Sequence, residues 1–156
     1  MTGATKYMSR IVVALLLSGV ATGVTAGGHS YAVSNEKWVS ECGACHLPYS
    51  PQLMSAESWR AVMKGLERHF GVDASVDAAT ARELQAFADS HSASGKRAAG
   101  PATLRISETR WFQHKHDELP AGVWKRPAIK SASNCAACHP QADRGIYNEH
   151  NVRVPR

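Results

Sequence analysis

Two copies of one pentapeptide constrain this chain more than anything else in it. Cys42-Gly43-Ala44-Cys45-His46 lies near the start and Cys135-Ala136-Ala137-Cys138-His139 near the end. Both read C-x-x-C-H, the attachment pattern of a c-type haem. Cysteines three apart share one face of a helical turn, so both sulfurs can bond to the vinyl groups of one porphyrin. The next residue, histidine, can place its imidazole under the iron. All four cysteines of the chain fall in these two motifs. Other chemistries also use paired cysteines. Structural zinc usually draws on pairs much closer in sequence than these. A redox dithiol usually sits in a βαβ pattern, and neither motif has one around it. Disulfides among the four are the remaining alternative.

The length of 156 residues suggests one or two small domains. Residues 1–26 read as a secretory signal. Lys6 and Arg10 form a basic start, Ile11 to Leu17 are apolar throughout, and Val24-Thr25-Ala26 suits a small-residue cleavage site. The apolar run is too short for a membrane anchor, and Ser18, Gly19, Thr22 and Gly23 dilute the stretch after it. Cleavage after Ala26 is therefore expected, with no membrane span in the mature chain. Export suits the motifs, because bacteria attach haem covalently outside the cytoplasmic membrane. Two haems would share a mature chain of about 130 residues, so each porphyrin would form much of a core.

The net charge of +5 falls to +3 without Lys6 and Arg10. Its distribution says more than its size. Residues 27–95 carry five Lys or Arg against eight Asp or Glu, whereas 96–130 carry eight against three. The basic stretch could neutralise haem propionates, face an acidic partner, or simply be a solvated surface. No nucleic-acid motif is present. The Ser-, Ala- and Gly-rich stretch from His91 to Pro101 is the best linker candidate. It divides the chain into a first haem-binding part, 27–95, and a second, 96–156.

The expected fold class is mainly α: short helices and loops wrapped around two covalent haems. Asn35 can cap a helix that carries Trp38, Cys42 and Cys45 at steps of four and three. Pro48 and Pro51 then make 47–54 a loop. Ser55 can start a helix whose stripe is Trp59, Val62, Met63, Leu66 and Phe70, with His69 on the same face and Gly71 as the stop. A histidine on an apolar stripe is usually a core residue. Here a nearby iron needs a sixth ligand, which makes His69 the candidate. A helix from Asp73 to Ser90 would carry His91 as a rival, at a frayed end. Thr103 to Ile106 alternate and could be extended. Ser107 is read as the cap of a helix through Glu118 that carries both His114 and His116. One of these two would serve the second iron, and spacing alone does not choose. Lys125 and Arg126 could pair with propionates. Asn134 is read as the cap of the second attachment helix. His29 and His150 are read as surface residues.

With these residues in view, the chain resembles the bacterial dihaem cytochrome c family, the small exported type abbreviated DHC. The resemblance runs from about Trp38 to Pro155. It rests on Trp38 with Glu41 to His46, on Tyr49-Ser50-Pro51, and on Ser58-Trp59 leading to His69-Phe70-Gly71. Leu104 to Thr109, Trp111-Phe112 with His116, Trp124-Lys125-Arg126 and Asn134 to His139 complete it. The resemblance implies a periplasmic electron carrier with two bis-histidine haems. Its proximal ligands would be His46 and His139, and its distal ligands His69 and His116. The family pattern favours His116 over His114. Pairing His69 with the first haem and His116 with the second is the simplest assignment, and a crossed one is conceivable. Implied partners are other redox proteins, such as a small oxygen-binding haem protein or a membrane cytochrome b.

Such ligation leads to outer-sphere electron transfer. Two imidazoles hold the iron six-coordinate in both oxidation states, so little geometry changes and no position is open to a substrate. Met54 and Met63 are the only thioethers after the leader, and Met54 would be the fallback ligand of the first iron. The four tryptophans are expected to pack on porphyrins. The competing classes are a haem enzyme and a gas-binding subunit, and both need an iron with an open or displaceable position.

Overall fold

The computed structural model describes residues 29–156. The expected leader, 1–26, lies outside the described residues. Those described form four α-helices joined by short 3-10 turns, with no β-strand among them beyond one isolated bridge between His69 and Val72. The helices are α1 (Glu36–Gly43), α2 (Ala56–Lys64), α3 (Ala78–His91) and α4 (Arg110–Lys115).

Each helix starts on a side chain that accepts an otherwise orphaned backbone N–H. Asn35 accepts from Trp38 N, Ser55 from Ser58 N, Asp77 from Ala79 N and Thr80 N, and Thr109 from Phe112 N. The first two caps are those read from the sequence. The other two correct it. Residues 73–76 are not helical, because Asp73 instead accepts from Ser75 N in a turn of its own. Ser107 lies inside the 3-10 turn Ile106–Glu108, and α4 begins only after Thr109. Residues 103–105 form no strand.

The expected single helix from Ser55 to Phe70 is also shorter than its stripe. Gly65 ends α2, its N–H turning back to Val62 O. Glycine has a high entropic cost in a helix, and here the tighter 3-10 turn Leu66–Arg68 replaces the next helical turn. Trp59 and Val62 are buried, but Phe70 is 49% exposed. Phe70 and Gly71 both have positive φ, at 51° and 94°, and His69 O accepts Val72 N at 3.1 Å across the reversal. A side chain at positive φ is costly, so the contacts on either side must fix this turn.

The main core joins α1, α2 and α3. Trp38, Met54, Trp59, Val62, Leu84 and Ala88 form it, and Trp38 meets Trp59 edge-on at 5.2 Å. Both indoles are satisfied: Trp38 Nε1 donates to Tyr49 O and Trp59 Nε1 to Pro51 O. A second, smaller cluster contains Val123, Ile129 and Cys138. The stretch read as a linker is partly docked, since Ala93 is buried and its N–H donates to Met54 O.

Several hydrogen bonds cross between 27–95 and 96–156, among them those that Arg97 donates to His29 Nε2 and the Tyr31 hydroxyl. Thr103 N donates to the buried Ser58 Oγ at 3.0 Å. Tyr49 OH donates to Ser133 O at 2.6 Å. Tyr31 N donates to Gly145 O at 2.9 Å. The last contact requires glycine twice over. Gly145 is left-handed at φ 68°, and a Cβ there would lie 2.2 Å from Ala32 N.

Candidate haem sites

The first motif straddles the end of α1. Cys42 lies within the helix and is partly buried, while Cys45 and His46 come after its last turn and are exposed. The second motif lies on the 3-10 turn Cys135–Ala137, not on an α-helix. Asn134 does not cap it. Its side-chain amide donates instead to Ile129 O, and the preceding loop consumes the cap. Burial pushes the thiols of Cys42 and Cys135 up to about 11.

Each motif histidine faces one other histidine. The rings of His46 and His69 have centroids 6.2 Å apart and planes 25° apart. The rings of His139 and His116 are also 6.2 Å apart, with planes at 86°. A metal–imidazole bond is ~2 Å long and the ring centre lies ~1.1 Å further on, so two imidazoles across one metal ion stand ~6.2 Å apart. Both pairs fit an iron between them.

Hydrogen bonds direct two of these rings. His46 Nδ1 donates to Leu47 O at 2.7 Å, and His116 Nδ1 donates to Phe112 O at 2.9 Å. Pinning Nδ1–H on a carbonyl leaves Nε2 with its lone pair, the form that binds metal. Burial, then the neighbouring His46, lowers the pKa of His69; burial, then His116, does the same to His139. Both rings are thereby held neutral. Tyr49 stacks on His46 at 4.9 Å, Phe112 stacks on His116 at 4.0 Å, and Tyr147 meets His139 edge-on at 5.3 Å.

The other histidines lie apart from these pairs. His114 has a side chain 81% exposed and turned toward Asp117, 3.5 Å away. His91 is exposed, its Nδ1 bonded to Phe87 O. His29 is exposed, 2.7 Å from Gln52 Oε1, and His150 is exposed near the C-terminus. Met54 is 2% exposed inside the main core, and Met63 packs against that core. Trp124 reaches the second pair, with its ring 5.7 Å from His116. Trp111 faces Tyr31 instead. Arg126 donates to Pro155 O at 2.6 Å, and the N–H of Arg153 donates to Cys138 O at 2.9 Å, which ties the C-terminal tail to the second motif.

Residues 38–147 match the family model described as dihaem cytochrome c. The chain belongs to the dihaem cytochrome c family. It is similar to a solved diheme cytochrome c from Rhodobacter sphaeroides, at 37% identity and a TM-score of 0.68, covering 74% of this chain and 98% of that one. It is also similar to the diheme cytochrome from Shewanella baltica, at 36% identity and a TM-score of 0.67, covering 78% and 93%. No curated protein matches. The dihaem cytochrome c is thus a c-type cytochrome, an electron carrier with two covalently bound haems. Among its described residues no helix is long and apolar enough to cross a membrane.

Sequence reasoning missed the roles of the tyrosines. Tyr31, Tyr49 and Tyr147 lie far apart in sequence, and no periodicity links them. Tyr49 had one signal, its place three residues after a motif histidine. Gly145 had another, as an isolated glycine after a polar turn.

Proposed function

We propose that this dihaem cytochrome c is a periplasmic carrier that passes single electrons between redox proteins, with each iron held by two histidines. Thioethers from Cys42 and Cys45 would hold the first haem, and those from Cys135 and Cys138 the second. His46 and His69 would ligate the first iron, and His139 and His116 the second. The observation that carries this reading is the pair of equal 6.2 Å ring separations. His116 is preferred to His114 because it faces His139 and has its Nδ1 pinned, whereas His114 points into solvent. Each part of the chain, 27–95 and 96–156, then supplies all the ligands of its own haem.

Bound haem supplies the one-electron change between ferric and ferrous iron. The residues around it keep that change small in structural terms. His46 is held by Leu47 O and the Tyr49 ring, and His116 by Phe112 O and the Phe112 ring. Ligands braced in this way do not move when the charge on the metal changes. Two neutral nitrogen ligands favour a lower reduction potential than a histidine with a methionine. The charge of the haem propionates can be offset by the basic stretch 96–130. Contacts with a donor or acceptor, such as an oxygen-binding haem protein or a membrane cytochrome b, would be small and short-lived. Residues 1–26 would direct export and be removed.

The test is the visible spectrum of the reduced holoprotein before and after adding carbon monoxide. No change is expected, because both irons are closed. A carbonyl spectrum at either haem would overturn the closed-carrier reading in favour of a catalytic or gas-binding role.

A further inference from the structure

Tyr49 touches both haem sites. Its ring stacks on His46 at 4.9 Å with planes 26° apart. Its hydroxyl donates to Ser133 O at 2.6 Å, across 84 positions of sequence. That same carbonyl accepts the backbone N–H of Cys135 at 3.0 Å. One oxygen therefore fixes both the phenol and the first residue of the second attachment motif. The backbone of Tyr49 is fixed as well. Its carbonyl accepts Trp38 Nε1 at 3.0 Å, and Trp38, 1% exposed, sits on the helix that carries Cys42. A single side chain thus runs from the proximal imidazole of one site to the entry turn of the other.

We propose that Tyr49 is a positioning residue shared by the two haems: it sets the plane of the His46 imidazole and braces the turn that presents Cys135. The inference rests on the bis-histidine reading above. Its physical basis is the dependence of a low-spin ferric ion on the orientation of its two imidazole planes. Near-parallel rings split the two π-type d orbitals of the iron strongly, whereas perpendicular rings leave them close in energy. The first pair, at 25°, belongs to the former case and the second pair, at 86°, to the latter. The two ferric irons then give different electron paramagnetic resonance signals. The near-parallel site is rhombic, and the perpendicular site shows one large g-value. Each haem can therefore be tracked separately in the same sample.

The geometry separates the two contacts of Tyr49. Tyr49→Phe keeps the stack on His46 and removes the bond to Ser133 O. Tyr49→Leu removes both. The experiment records the ferric spectrum and a redox titration of both variants as holoproteins, after checking for two covalent haems per chain. With Tyr49→Phe, the large-g signal and the potential of the second haem shift, while the rhombic signal stays close to that of the parent. With Tyr49→Leu, both signals shift. Restoration of the rhombic signal by phenylalanine, but not by leucine, assigns the stack to the first haem. An unchanged second haem in Tyr49→Phe overturns the brace, and an unchanged rhombic signal in Tyr49→Leu overturns the stack. If leucine does not give a folded holoprotein, the phenylalanine variant alone decides the brace. A parent protein without two low-spin ferric signals would overturn the bis-histidine reading itself, a result distinct from unmoved variants.

Discussion

Tyr31 and Gly145 form a backbone clasp, in which the N–H of Tyr31 donates to the carbonyl of Gly145 at 2.9 Å. The clasp closes the start of the described chain over the tail of the second motif. Around it, Tyr31 meets Tyr147 edge-on at 5.5 Å, and Arg97 donates to the Tyr31 hydroxyl at 3.1 Å.

Gly145→Ala should therefore destabilise the holoprotein more than its small volume suggests. The new methyl group would face backbone atoms that cannot yield as a side chain can, and its residue would be left-handed. A loss of ~2 kcal/mol or more is expected, seen as a lowered melting temperature with both haems still attached. An unchanged melting temperature would mean that the clasp does not form.

His69→Ala and His116→Ala should each open one iron. Each variant, once reduced, should bind carbon monoxide at one of its two haems, and the double variant at both. His114→Ala should leave the visible spectrum as it was. Carbonyl formation in His114→Ala, with none in His116→Ala, would exchange their roles.

Asp77 gives a pH signature. Hydrogen bonds from the Thr80 side chain, then from the backbone N–H groups of Thr80 and Ala79, hold its carboxyl below the ordinary 3.8. The unfolded chain binds this proton at higher pH than the folded one. The stabilisation is therefore complete above the unfolded value and fades as pH falls through the folded one. The difference in melting temperature between the parent and Asp77→Ala should be largest above about pH 5 and should narrow below 3.8. A constant difference would detach the cap from its charge.

Much of this architecture is legible in sequence because it is local. Two pentapeptides, the caps Asn35 and Ser55, and the apolar spacing of Trp59 and Val62 each act over one or two helical turns. His69 was found on a stripe that is helical only as far as Lys64. Gly65 breaks that helix, yet the loop beyond it still brings the ring to His46. The choice between Ser107 and Thr109 as a cap depends on packing, since both side chains can accept the same kind of bond. The supports of the imidazoles were legible only in part. Tyr49 and Tyr147 lie close in sequence to the histidines whose rings they touch, but what holds the tyrosines is distant: Tyr49 bonds Ser133 O across 84 positions and Tyr147 meets Tyr31, and such contacts leave no periodic trace.

Salt should affect the carrier's encounters. Among the described residues, Lys96, Arg110, Lys125 and Lys130 are exposed and form no ion pair. Arg105 and Lys115, by contrast, are paired with Glu108 and Glu149. Electron transfer with an acidic redox protein should slow as ionic strength rises past ~0.15 M, where screening acts over ~8 Å. Stopped-flow rates that stay flat with salt would remove any steering by this stretch.

The two cores are unequal, and the consequence falls on what each haem must pack against. The cluster of Trp38, Met54, Trp59, Val62, Leu84 and Ala88 buries large side chains against three helices. The cluster of Val123, Ile129 and Cys138 is half that size and includes a motif cysteine. Without haem, the polypeptide has a scaffold of buried side chains at its N-terminal end and much less at the other. The second haem must therefore supply a larger share of its own surroundings' packing than the first.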